Sequence, residues 1–529
     1  MACGYFLLVL HAHLPYIRHP EFEEFMEERW LFEAITETYI PLLKIFENLE
    51  RDGIPFKVTI SITPPLLEMF ASHDLQSKYE RHMVKLIELA DREVARTKRE
   101  DPRKHSLAIY YLETFSDVLN TYRKYNRNPA EGFKVFRDKG YIELITCNAT
   151  HGFLPFMMRF PQVVNAQIKI GVEAFQRHMG YRPKGMWIAE CAYVPPLDRY
   201  LAEAGVKFFF VDSHGLWYAD HQPRYGVYRP VITPHEVFVF ARDPESSEQV
   251  WSSQVGYPGD GRYREFYRDV GFDREYEYIR PYIDSCGERI NTGIKYHRIT
   301  GKDVDLADKE LYDLSEAMHA VEEHARDFAG KKIRQIERLY TLFNGVEPVI
   351  VAPFDAELFG HWWYEGPQFL ERFFRHIAET EILIPSTPSE IIDSLEIVQV
   401  LTPAPSSWGA NGYFEVWLNG RNDWIYPHYE EMMERMVELA QKFTNPTELQ
   451  RRVLNQMARE LLLAQSSDWA FIMTTGTTVE YAANRVKTHA LRFLELDRQL
   501  RSGKIEVGYL QQLEWLDAIF PWLDYRIFA

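Results

Sequence analysis

The chain has 529 residues, 46% hydrophobic and 26% charged, a globular composition with room for two to four domains. Its formal net charge of −17 argues against a phosphate-backbone partner, so no nucleic acid is expected. No apolar run reaches the roughly 18 to 20 residues of a membrane span, so no membrane is expected either.

The chain opens with MACGYFLLVL, which lacks a basic leader and a cleavage site and reads as a first strand, not a signal peptide. This strand, residues 5–10, ends at His11 and His13. A helix-like segment containing Trp30 follows, and residues 56–62 alternate as a second strand. Residues 67–139 are charged and helical in period and read as a helical insertion. Further apolar strands are expected at 141–146, 184–188, 206–211, 237–241 and 348–353. They lead into His151, Glu190, Asp212, Asp243 and Asp355. Strands that alternate with helices and end in polar residues predict an α/β barrel whose function sits at the C-terminal strand ends. About seven strands predict a distorted barrel, not a clean eightfold one. Residues 1–66 and 140–400 would form it, with a long Gly- and Tyr-rich connection at 244–296. Residues 401–529 read as a C-terminal all-helical domain.

Cleaving a glycosidic bond needs two carboxylates, a nucleophile or base and an acid. Glu190, flanked by Trp187 and Tyr193, and Asp355, followed by His361, Trp362 and Trp363, have the richest aromatic surroundings. Asp212, Asp243 and Glu357 are rivals, and a helix-capping role for Asp355 is the structural alternative. His11 and His13 share a strand face. With His151 they could bind a metal such as zinc, exchange hydrogen bonds with sugar hydroxyls, or cap loops. The segment 406–424 combines Trp408, Trp417 and Trp424 with three Gly and three Asn, which suits a sugar-stacking surface better than a core. Asp468, beside Trp469, could close the same cleft. Aromatics at 15% of the chain fit carbohydrate binding as well as a large core. Cys3, Cys147, Cys191 and Cys286 form no paired motif, which suggests reduced thiols and a cytoplasmic protein. No nucleotide loop or serine-hydrolase elbow is present.

Five segments taken in order, HAHLPY from His11, CNATH from Cys147, WIAEC from Trp187, FDAELFGHWW from Phe354 and the stretch 408–424, resemble the motifs of glycoside hydrolase family 57. Within it the chain is similar to the 1,4-α-glucan branching enzymes and to relatives described as α-amylases. The resemblance implies a (β/α)7 barrel and retaining chemistry with neither metal nor cofactor. It implies Glu190 as nucleophile and Asp355 as acid/base. It also implies sugar contacts from His11, His13 and His151 near the cleaved bond, from Trp408, Trp417 and Asp468 on the acceptor side, and from Arg264 in the long connection. The expected substrate is an α-1,4-glucan such as amylose or a glycogen-like polymer, and the expected state a monomer or small homo-oligomer. Branching members carry a Tyr on a mobile loop over the site, here expected within 220–262, where Tyr225, Tyr228 and Tyr257 are the candidates. Hydrolysis is the alternative outcome. A metal-dependent deacetylase built on His11 and His13, or a glucan-binding protein with a dead site, are readings from other classes.

Overall fold

The computed structural model describes residues 3–252, 256–283 and 286–529. Residues 1 and 2, ahead of the expected first strand, residues 253–255, inside the window expected to hold the lid, and residues 284 and 285, in the long connection, lie outside the described residues.

Among the described residues nine strands form one sheet: β1 (Gly4–Ala12), β2 (Val58–Ile62), β3 (Ile142–Cys147), β4 (Gly185–Trp187), β5 (Phe208–Val211), β6 (Val231–Ile232), β7 (Phe238–Ala241), β8 (Val349–Asp355) and β9 (Leu383–Pro385). Seven of them run parallel in the order β7-β5-β4-β3-β2-β1-β8. The sheet curls until its ends meet, where Asp243 N donates to Val351 O at 2.8 Å. This is the distorted (β/α)7 barrel expected from the strand pattern. β6 pairs antiparallel with β7, and β9 pairs with the start of β1. Both are too short to produce a readable alternation. β1 and β8 are nearly continuous apolar runs, and β2 is buried along its whole length although it alternates, because helices cover the outside and side chains fill the inside.

Register fixes which residues share the functional end. His11 lies opposite both Ser61 and Asp355. Cys147 lies opposite Trp187. The C-terminal ends of β1, β3, β4 and β8 therefore lie side by side on one face of the barrel.

Between β2 and β3 the helices Pro64–Ala71, His73–Thr97, Pro102–Lys124 and Pro129–Asp138 follow one another. Asp101 and Asn128 cap the last two, each followed by a Pro whose missing N–H costs nothing at that position. Pro129–Asp138 packs on β3 and belongs to the barrel's outer layer. After β9 come Ile425–Lys442, Glu448–Ala464, Ser467–Thr475, Val479–Ser502 and Val507–Leu516. This helical region is seated on the strand ends. Gly152 bridges to Ser466, and Ser467 N donates to His151 O at 3.0 Å.

The Ile35–Tyr39 segment is a π-helix inside the first long helix, a local widening that recurs at functional sites. It turns Glu37 and Tyr39 toward the loop after β8.

Candidate active site at the strand ends

Glu190 follows β4 on a turn in the left-handed region, at φ 62°, and Cys191 beside it has φ 50°. Such backbone is costly for residues with a Cβ and persists where surrounding contacts enforce it. Here the enforcement is visible. Trp408 N donates to the Glu190 carbonyl at 2.9 Å, and Trp408 Nε1 donates to Glu190 Oε2 at 2.7 Å. Ser467 Oγ donates to Glu190 Oε1 at 2.7 Å. Burial pushes the Glu190 carboxyl up to about 7, and the two donated hydrogen bonds restrain the rise.

Asp355 ends β8 and precedes a short 3-10 turn, yet its side chain makes no capping bond. The capping alternative therefore does not describe it, and its carboxyl has no hydrogen bond to any described residue. Burial, then the negative charges of Glu357 and Glu190, hold it well above the usual carboxylate range, with Arg242 opposing. Burial thus raises both carboxyls of the site, Glu190 against two donated hydrogen bonds and Asp355 against none from a described residue.

The rival carboxylates have structural work. Asp212 caps the next helix through Ser213 N at 2.6 Å and pairs with Arg242 at 3.2 Å. Asp243 caps Pro244–Trp251 through Ser246 N at 2.8 Å and is buried against Lys332 and Gln335. Glu357 accepts from His13 N at 3.2 Å and from the Tyr39 hydroxyl.

The three histidines form a stack. His11 Nε2 faces His151 Nε2 at 2.9 Å, and His151 Nδ1 reaches Ser467 Oγ at 2.9 Å. Ser467 has one proton, which an ionised Glu190 claims, so its oxygen accepts from His151 Nδ1–H. His151 Nε2 is then an acceptor, and His11 Nε2 must donate to it. Both rings are neutral in this chain, as burial requires: it holds both well below the ordinary histidine value. His11 Nδ1 is 3.3 Å from Ser61 Oγ. His13 differs. Its Nδ1 meets Thr63 at 3.1 Å and its Nε2 meets Asp468 at 2.9 Å. Burial opposes its charge, but Asp468, Glu190 and Glu357 together raise it. Asp468 is held well below the carboxylate range by His13 despite burial.

The ring nitrogens of the three histidines lie within 4.8 Å of one another, the outline of a metal site. The arrangement does not fit one. All six nitrogens have protein partners, and His13 lies on His151 with ring centroids 3.7 Å apart at 19°, so their lone pairs lie in parallel planes instead of converging. The same pairing engages every ring nitrogen of His11, His13 and His151, so a sugar hydroxyl would have to displace one of these partners.

Two expectations are corrected. Trp417 is fully buried and stacks on Phe153 at 5.0 Å, so it is core and not an acceptor surface. Arg264 is buried over the Tyr364 ring at 3.6 Å and donates to Glu37 Oε1 at 2.8 Å and to Gly293 O at 3.3 Å. Its guanidinium organises Glu37, which also takes His361 Nδ1 at 2.8 Å, and presents almost nothing to a ligand. Nor is a lid Tyr found among the three candidates. Tyr257 is buried and donates to Asp327 at 2.7 Å. Tyr225 packs on Phe343, and the Tyr228 carbonyl accepts from Val349 N, both at the end of β8 opposite Asp355. β6, β7 and the helix Pro244–Trp251 interrupt the 220–262 window. Conversely, Ser467 had no mark in the sequence beyond its place before Asp468 and Trp469, and Tyr39 had none.

A parallel barrel with two carboxyls at its strand ends, both raised by burial, among indole and imidazole rings is the arrangement of an enzyme acting on glycosidic bonds. Comparison with known proteins gives the family. Residues 7–336 match the model for glycosyl hydrolase family 57, and residues 428–528 match the C-terminal region of 1,4-alpha-glucan branching enzymes. The chain belongs to glycosyl hydrolase family 57. It is 36% identical to the 1,4-alpha-glucan branching enzyme TK1436 of Thermococcus kodakarensis, over 98% of this chain and 77% of that one. Among solved structures it is similar to the alpha-amylase AmyC of Thermotoga maritima, at 61% identity and TM-score 0.94 over 99% of each chain. It is also similar to the branching enzyme of Pyrococcus horikoshii, at 32% identity and TM-score 0.88, over 100% of this chain and 97% of that one.

Proposed function

We propose that the chain is a 1,4-α-glucan branching enzyme that cleaves an α-1,4 bond with retention and rebuilds it as an α-1,6 branch. The observation that carries this reading is the carboxyl pair at the ends of β4 and β8, closed over by Trp408 and by Ser467, the latter from a region that matches branching enzymes. Asp355 protonates the glycosidic oxygen as Glu190 attacks C1, which breaks the C–O bond and leaves the glycosyl group on Glu190. Asp355, now a base, takes the proton of an acceptor 6-hydroxyl, whose oxygen displaces Glu190. Trp408 and Ser467 keep the nucleophile aimed. Asp468 and His13 form a charged pair on the same face. Cys147 and Cys191 are buried free thiols, which supports a reducing, cytoplasmic setting.

Hydrolysis is the second reading, because AmyC is described as an α-amylase. Incubation with amylose separates the two. New α-1,6 signals in the proton NMR spectrum, with few new reducing ends, are the expected result. Reducing ends without branches would leave the hydrolase.

A further inference from the structure

The loop after β8 turns two adjacent indoles in opposite directions. Trp363 is buried against Phe369, with ring centroids 4.7 Å apart. Trp362 is 54% exposed. Its ring lies nearly parallel on Phe266, with centroids 4.6 Å apart at 21°. Tyr267, exposed like Trp362, stands edge-on against Phe266 at 5.0 Å.

The step is fixed from beneath. Lys295 Nζ donates to the Phe266 carbonyl, and His361, edge-on to Trp362 at 5.3 Å, is tied to Glu37. Trp362 N donates to Glu357 O at 3.2 Å, so the step hangs from the residue whose carboxylate meets His13 and Tyr39. Beside it runs a cleft lined by Glu33, Glu37, Asn291, Lys295 and His361.

Flat rings held rigidly in water beside carboxylate, amide and ammonium groups match one ligand chemistry well. A glucosyl ring has C–H groups on its faces and hydroxyls around its rim, so it stacks and hydrogen-bonds at once. Being neutral, it is also indifferent to a net charge of −17.

We propose that Trp362, backed by Phe266 and flanked by Tyr267, is an outer subsite that stacks a glucosyl residue of a long α-1,4-glucan away from the cleaved bond. The proposal rests on the reading of the substrate as an α-glucan. A chain long enough to reach from the carboxyl pair to Trp362 gains the stacking contact; a short oligosaccharide confined to the carboxyl pair does not.

The test compares Trp362→Ala and Trp362→Phe with the wild type, using Trp515→Ala as a control on an exposed indole of the last long helix. Retardation in native gels containing amylose reads binding without turnover. Trp362→Ala should bind amylose about tenfold more weakly, the scale of removing one aromatic anchor, and Trp362→Phe should recover most of it. KM for amylose should rise in parallel, while kcat/KM for a short maltooligosaccharide changes by less than about twofold. Equal retardation of Trp362→Ala and wild type would overturn the proposal, as would no retardation of the wild type or an equal loss on long and short substrates. The first of these would leave the step to a partner other than a glucan. A wild type that is retarded through Trp362 but forms no branches would sink the proposed function and leave the subsite standing.

Discussion

A nucleophile has to keep one lone pair aimed at one carbon, whereas an acid that becomes a base has to follow a proton between two oxygens. In the proposed mechanism the two carboxyls are built for that difference. Glu190 is clamped at both oxygens and at its carbonyl, and the Asp355 carboxyl has no hydrogen bond to any described residue. Asp355→Asn should lower kcat by about a hundred- to ten-thousandfold on amylose, yet far less on an activated donor such as a glucosyl fluoride, whose leaving group needs no proton. Equal losses on both donors would remove its acid role. With Glu190 at about 7, kcat/KM should rise as pH climbs through 7, because only the ionised form attacks, and fall again once Asp355 loses its proton. Ser467→Ala strips one donor from the ionised Glu190, so the acidic limb should move up by about one pH unit, the equivalent of a hydrogen bond to a charged group. His13, His151, Asp468, Trp408 and Asp355 also face Glu190 and stay unchanged in this variant. A Ser467→Thr variant should restore the limb, and a limb that does not move would mean that Ser467 only packs.

At the scale of elements, indoles that look alike in sequence do opposite things. Trp417→Ala should cost about 3 to 5 kcal/mol of stability, seen as a lower melting temperature, with KM for surviving enzyme little changed. A raised KM at unchanged stability would restore its expected place in the cleft. The strands were legible because a parallel sheet covered on both faces needs uninterrupted apolar runs, as in GYFLLVLHA, and because Glu190 and Asp355 punctuate two of them. What stayed hidden depends on distance along the chain. Ser467 is 277 residues from Glu190, and His11 is 140 from His151, so no local pattern could pair them. Arg264 misled for the same reason. A buried guanidinium and a ligand-binding one are the same letter until Glu37 and Tyr364 are seen around it. The helix Ser467–Thr475 has no start signal of its own in the sequence, because the preceding helix ends only at Ala464 and the break is a corner, not a Gly or Pro.

Over the whole molecule, the barrel and the helical region share one site and carry separate pH liabilities. Inside the helical region Glu460, His489 and Asp517 meet, with Arg492 on Asp517. Burial, then Glu460, pushes Asp517 up to about 6 from an ordinary 3.8. A raised carboxyl favours the neutral form, so its contribution to stability is complete below 3.8 and is lost as pH rises through about 6. Asp517→Asn should therefore flatten the decline in melting temperature across that interval. An unchanged slope would show that another group governs it. His489 is drawn below its ordinary value by burial and by Arg485, to about 3, so it stays neutral throughout.

The seating of the helical region has a consequence in time. Synthesis runs from the N-terminus, so β1 through β8 leave the ribosome before Trp408, and Trp408 well before Ser467. A nascent barrel already holds Glu190 and Asp355 but has nothing to aim the first or to shut out water. The catalyst becomes competent only when the helical region docks. A chain interrupted after residue 400 should remain inert toward the polymer, and completion of synthesis itself acts as the release of activity.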